Sequence, residues 1–404
     1  MQSPVTCGME QGTTTWWAGS TGYQIYLRSF ADSNGDGIGD LAGIQSRLDY
    51  LRELGIDFIW ITPFYPSPMA DWGYDVADYC DVDPTFGTLE GFDALVADAR
   101  DHDIQVVIDL VPNHTSDQHA WFQSARTGPE SPYRDHYVWA DPAPDGGPPN
   151  NWVSYFGGPA WTLDEASGQY YLHLFLPEQP DLNWRNPEVA TEFDHIIRFW
   201  LDRGVAGFRI DVAGGLVKDR ELRSNPAVTL WDPEGTRWEQ WEAFDHLHDV
   251  FQPESAQIFR RWRSIADEYG AFLHGETYTL DPRSLAELVP GDGMHGGYWF
   301  GPMHIDWQSA QIRRTLMAPA SLLGDRLLWA TSSHDMPRSP TRFGGGDHGR
   351  ARTLALNVLI SGLPGVQVLY QGEELGLVDG DVPADAKLDP VGPDGDVAAG
   401  RDGC

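Results

Sequence analysis

Cysteine is nearly missing from this chain of 404 residues. Cys7, Cys80 and Cys404 are odd in number and widely spaced, so neither a disulfide framework nor a cysteine metal cluster is expected. Basic residues are scarce too, 27 against 60 acidic ones, for a net charge of −33. A field of that sign repels phosphate backbones and anionic membranes, which argues against nucleic acid as a partner. A neutral substrate or a cation remains compatible with it, and surplus acid also serves solubility or salt tolerance. No stretch approaches 18 apolar residues, so no membrane span is expected. The opening MQSPVTCGMEQGTTTWW has no basic start and no apolar run, unlike a signal peptide. The expectation is a soluble cytoplasmic protein, monomer or homodimer. No fixed-period repeat or coiled-coil pattern is evident.

What the sequence does have is aromatic bulk, with 17 Trp, 15 Tyr and 17 Phe in a chain that is 41% apolar. Most of these rings fill a core, but such rings also stack on the apolar faces of sugars. The length fits two or three domains, or one large barrel with insertions.

Short apolar runs alternate with helical periodicity. Tyr23–Leu27, Asp57–Ile61 and Gln105–Asp109 read as the first three strands. Leu41, Ile44, Leu48 and Leu51 mark one amphipathic helix between the first two, and a second helix spans about Gly91–His102. Between about Thr115 and Asn186 the rhythm breaks into a stretch rich in Pro, Gly, Asn, Trp and Tyr, too long for an ordinary loop. A helix at Pro187–Arg203 restores it. Further strands are predicted at Gly207–Asp211, Ala271–Gly275, near Gly297–Phe300, at Leu327–Thr331 and at Val366–Tyr370. About eight strands with intervening helices predict an α/β TIM (β/α)8 barrel. Residues 1–114 form its first part, 115–186 an inserted subdomain, and 187–404 the remainder.

In such barrels the chemistry sits at the C-terminal ends of the strands. Asp109, Arg209, Asp211, Glu276, His334 and Asp335 all fall there. Arg209 and Asp211, two apart on a strand, point the same way. They make either a structural salt bridge or a nucleophile with its cation. Three acids on one rim suit glycoside chemistry, in which one carboxylate attacks and a second carboxylic acid donates a proton. Arg209 would keep Asp211 ionised. Glu276 has no cation beside it in sequence and is free to retain its proton. Asp335 would hydrogen-bond sugar hydroxyls. Separately, Asp32, Asn34, Asp36, Ile38 (through its carbonyl) and Asp40 place oxygens at alternate positions among glycines. They resemble half of an EF-hand loop; a plain Asp/Gly turn is the alternative.

Asp109-Leu-Val-Pro-Asn-His114, Gly207-Phe-Arg-Ile-Asp211, Gly275-Glu276 and His334-Asp335 together resemble the ordered signature regions of the α-amylase superfamily. Gln179-Pro-Asp-Leu-Asn183, Tyr370-Gln-Gly-Glu-Glu-Leu-Gly376 and the Gly-Arg-Asp-Gly-Cys ending resemble its α-glucosidase and oligo-1,6-glucosidase branch. The resemblance implies Asp211 as nucleophile, Glu276 as acid/base, Asp335 as transition-state stabiliser and Arg209 as the group orienting the nucleophile. It implies hydroxyl binding by His114 and His334, a glycone pocket closed by Asp71 and Tyr74, and an Arg401 that pairs with Asp71. Asp109 is expected to be a structural support.

The same resemblance implies a structural Ca²⁺, in some members Mg²⁺, at the Asp32–Asp40 loop, and no organic cofactor. The implied substrate is a small oligosaccharide and the implied enzyme an exo-acting retaining α-glucosidase. A transglycosidase converting trehalose or sucrose, or a non-catalytic scaffold, stands as the alternative. A Val after the nucleophile, here Val212, accompanies α-1,6 cleavage in this branch. The segment running on to Asp219 resembles a subgroup that takes α-1,4 substrates. The sequence departs from the family pattern at Ser333, where Asn is usual, and at Gly214 and Gly215, where bulkier residues often line the aglycone side. Family members continue into a last barrel helix and a β-sandwich, so the resemblance implies that the β-sandwich domain is absent and that apolar surface beside the eighth strand is uncovered.

Overall fold

The computed structural model describes residues 15–383; Cys7, Arg401 and Cys404 lie outside them. The barrel strands in chain order are β1 (Thr21–Ile25), β2 (Phe58–Ile61) and β3 (Gln105–Leu110). Three strands outside the barrel follow, β4 (Trp139–Ala140), β5 (Trp161–Asp164) and β6 (Gln169–Leu172). The barrel resumes with β7 (Gly207–Ile210), β8 (Phe272–Gly275), β9 (Gly296–Trp299), β10 (Leu327–Trp329) and β11 (Val366–Tyr370). All eight barrel pairings are parallel, and β1 bonds to both β2 and β11, which closes the ring. The predicted TIM barrel is therefore the fold. β4, β5 and β6 form a separate antiparallel sheet inside the long segment between β3 and β7.

The strands are nearly continuous apolar runs because both faces are buried. Phe58, Trp60, Val107, Phe272, Tyr298 and Leu328 fill the barrel interior, with Trp17 packed against them. The alternate residues Ile59, Ile61, Ile108, Phe208, Ile210 and Leu273 face the helices. Gly22 is where the interior leaves no room, since a Cβ there would sit 2.2 Å from the Phe58 ring.

Several boundaries shift from the sequence reading. Leu27 starts a short helix, Leu27–Phe30, and does not end β1. The single helix expected across Leu41–Leu51 is two, Leu41–Gln45 and Leu48–Leu54. The Ser46 hydroxyl donates to the Gly43 carbonyl at 2.7 Å, and Arg47 leaves helical geometry, so the run breaks where a side chain competes for the backbone. Asp211 lies one residue past β7, though its N–H still bonds the Leu110 carbonyl at 2.9 Å. The helix Gly346–Ser361 presents Val358 and Leu359 to the surface.

Candidate active site

Strand register builds the site. Asp109 on β3 pairs with Arg209 on β7, which pairs in turn with His274 on β8. Residues paired across neighbouring strands share a face, so Asp109 meets Arg209 side-on, and Nη1 lies 2.8 Å from Oδ1. The same Nη1 is 2.5 Å from Asp211 Oδ1, and Nη2 is 3.2 Å from Glu276 Oε1. One buried guanidinium thus holds three carboxyls, and its rigid fork sets Asp211 and Glu276 side by side.

This corrects the expectation for Glu276. It has no cation near it in sequence, but the Ile210–Gly275 pairing of β7 and β8 carries it to Arg209. Its Oε2 also accepts the Val212 N–H at 2.9 Å. Val212 makes that bond from a left-handed backbone, φ +45°. A β-branched residue rarely adopts that conformation, and strain of this kind costs about 1–3 kcal/mol.

Burial pushes the Asp211 carboxyl up, Arg209 opposes, and the negative neighbours Glu276 and Asp109 push the same way as burial. Burial likewise drives Asp109 up to about 6 against the pull of Arg209. Asp109 is held besides by the Trp60 indole N–H at 3.1 Å and the Tyr74 hydroxyl at 3.2 Å.

Above the carboxyls opens a cavity of about 680 Å³, within the usual range for ligand sites. Its closed end is lined by the buried Asp71, Tyr74 and His114. The Gln179 amide joins two of them. Its Nε2 donates to Asp71 Oδ2 at 2.8 Å and lies 3.0 Å from His114 Nε2. Burial depresses the His114 pKa to about 3, so its imidazole is neutral near pH 7. The open end carries Phe251, Trp238, Tyr278 and Leu280, all exposed. Asp335 borders the cavity and is 3.2 Å from His334 Nε2. His334 Nδ1 takes the Gln24 amide at 2.7 Å, which leaves the proton on Nε2, 2.7 Å from the Tyr74 hydroxyl.

The structure therefore gathers Asp211, Glu276, Asp335, Asp71, Tyr74, His114, Arg209 and His334 around one site. Arg209 and His334 sit behind its wall, against a small space shared with Glu276 and Asp335. Three further participants are not predicted from sequence. Gln179 opens the Gln179–Asn183 motif without a role of its own, Gln24 is one more polar residue on a strand, and Phe251 comes from the long excursion after β7.

The Asp32–Asp40 loop lies apart from these groups. Asp32 accepts from the N–H groups of Asn34, Gly35 and Gly37, and Asp36 from that of Ile38. Asp40 caps the following helix through the Gly43 N–H at 2.6 Å. Among the described residues no three Asp, Glu, His or Cys side chains converge as metal ligands. The loop instead mixes carboxylate, amide and carbonyl oxygens, a set whose chemistry suits a hard cation.

A family model described as the alpha amylase catalytic domain matches residues 24–392. A probable alpha-glucosidase of Rhizobium meliloti (strain 1021) is 44% identical across 96% of this chain and 73% of its own length. The alpha-glucosidase of Culex pipiens is 39% identical across 92% of this chain and 64% of its own. Maltase 1 of Drosophila virilis is matched over 59% of its length, so the chain spans between about three fifths and three quarters of these relatives. Among solved structures, the alpha-glucosyl transfer enzyme XgtA superposes with a TM-score of 0.91 at 44% identity, over 97% of this chain and 75% of that one.

Proposed function

The chain belongs to the alpha-amylase family of catalytic domains, and from that premise we propose a retaining, exo-acting α-glucosidase of short oligosaccharides. Asp211 attacks the anomeric carbon on the face opposite the departing glycosidic oxygen, which Glu276 protonates. The C–O bond to the aglycone breaks and a glycosyl ester to Asp211 forms. Glu276, now ionised, takes a proton from water, and the resulting hydroxide oxygen displaces Asp211 with overall retention. Asp335 accepts hydrogen bonds from sugar hydroxyls as the ring flattens. The observation that carries this reading is the single guanidinium holding Asp211 and Glu276 beside a pocket with a closed, polar end. That closed end favours a non-reducing terminus over the middle of a polymer.

The test is glucose release from maltose, isomaltose and p-nitrophenyl α-glucoside, with the anomer followed by NMR. The expected first product is the α-anomer, and Asp211→Asn is expected to lower kcat by at least about 10⁴-fold, the scale of losing a nucleophile that works in concert with its partners. A β-anomer, or unchanged turnover in the variant, would refute the mechanism. Transfer of glucose to an acceptor is the second reading, favoured by the likeness to an alpha-glucosyl transfer enzyme. Product analysis at high acceptor concentration separates the two.

We also propose that the Asp32–Asp40 loop holds Ca²⁺ in a structural role. Asp32, Asn34, Asp36 and the Ile38 carbonyl would supply the oxygens, with Asp40 at the helix cap. Calcium in millimolar excess is then expected to raise the thermal midpoint over that in EDTA by several degrees, an increment Asp32→Ala removes. Equal midpoints in calcium and EDTA would remove the metal from the account.

A further inference from the structure

The two ends of the catalytic cavity differ in kind. Asp71, Tyr74 and His114 are buried at one end, while Phe251 stands 44% exposed at the other. A sugar held by the closed end sends its aglycone toward the exposed residues of the cavity, Phe251 among them. That side chain is fixed in an unusual way. Phe251 adopts a left-handed backbone, φ +56°, and its N–H donates to the Gly214 carbonyl at 2.7 Å. Its ring then lies directly on Gly214. A Cβ built at Gly214 would sit 2.3 Å from Cε1 and 2.7 Å from Cδ1 of that ring. Gly214 is three residues after Asp211, and Val212 between them bonds Glu276. The glycine is therefore required by contact, since its own φ is not in the left-handed region.

We propose that Phe251, seated on Gly214, is the residue that selects the aglycone sugar. This deepens the α-glucosidase reading and rests on it. The ring occupies the space that a larger residue at 214 would fill, and it offers an apolar face where the second sugar of a maltose-like or isomaltose-like substrate leaves the cavity. The two linkages present that second ring at different angles, so a fixed aromatic wall discriminates between them. Selection is then shared between Val212 and a residue far along the chain, at the end of the excursion after β7.

The experiment compares wild type, Phe251→Ala, Gly214→Ala and the double variant. Losing an aromatic contact of this kind is expected to raise KM for the preferred disaccharide by roughly tenfold. The maltose-to-isomaltose ratio of kcat/KM is expected to shift by at least about fivefold, while the inhibition constant of free glucose, which fills the closed end, stays put. Gly214→Ala displaces the ring and is expected to reproduce Phe251→Ala. In the Phe251→Ala background it is expected to do nothing more, because no ring remains to displace. An unchanged ratio in Phe251→Ala, or additive effects in the double variant, would overturn the proposal. Should the wild type release no glucose from either sugar, the activity reading falls, and the same ratio taken from the dissociation constants of the two disaccharides still decides the role of the ring.

Discussion

Arg209 is the residue on which the site turns, yet the group whose titration it exposes is Asp109. Burial lifts that carboxyl to about 6, well above its ordinary range. Between about pH 4 and 6 the folded chain then keeps a proton that the unfolded chain has released. The resulting stability is fully present below pH 4 and is lost as pH rises through 6. Asp109→Asn has no proton to lose there. Across that window the wild type is expected to lose roughly 3 kcal/mol relative to the variant, because each pH unit crossed while the two states differ by one proton is worth about 1.4 kcal/mol. Urea unfolding of both proteins at pH 4 and pH 7 measures the difference. A gap that does not change with pH would contradict the assignment. At this scale the sequence displays every acid of the site but not the pairing of charges. Glu276 looks solitary along the chain because its cation, Arg209, is distant in sequence and one strand away in space.

At the scale of elements, one of the ties between the long insertion and the excursion after β7 is a buried ion pair. Lys218, in the excursion after β7, has its Nζ 2.5 Å from Asp181 Oδ2, and it also donates to Asn113 Oδ1 and the Gly215 carbonyl. Both charged groups are buried. Lys218→Met keeps the stem but strands Asp181 in a dry site, and a broken buried pair costs about 3–5 kcal/mol. The variant is expected to unfold with a loss of that order by chemical denaturation. Loss of activity is expected as well, since Gly215, whose carbonyl the lysine holds, and His114, the neighbour of Asn113, line the cavity. A loss under about 1 kcal/mol would show that the pair carries little. The strands are legible in the sequence because doubly buried parallel strands leave dense apolar bursts. The break at Ser46 and the left-handed turns at Val212 and Phe251 are not. The two turns answer to contacts across the fold, and the break at Ser46 to a side-chain bond, none of which the apolar periodicity records.

For the whole molecule, the deciding number is 60 acids against 27 bases. Exposed pairs such as Arg198–Glu268 and Arg260–Asp292 engage some of the acids, but most have no base available. Self-repulsion among the rest favours the expanded state, and salt shortens its range from about 30 Å at 0.01 M to about 3 Å at 1 M. The thermal midpoint is therefore expected to rise as NaCl is raised from about 0.01 M toward 1 M. A fall would mean that the surface pairs outweigh the repulsion. The charge is plain in the sequence, as is the barrel. The shape of the catalytic cavity is not, because its open end is built by the long excursion after β7, which follows neither strand nor helix periodicity for most of its length.

The ring closes between β1 and β11, with Thr21 beside Gln367 and Gln24 beside Tyr370. The first strand made is thus waiting for the last. At roughly 5–20 residues per second a ribosome needs some tens of seconds to travel between them. Through that interval β1 has one edge unpaired, which is the kind of surface that recruits other strands. The seam therefore sets a timetable for biogenesis. Any sheet that forms before β11 emerges is open along β1, and a chain shortened to lack β11 keeps that edge open.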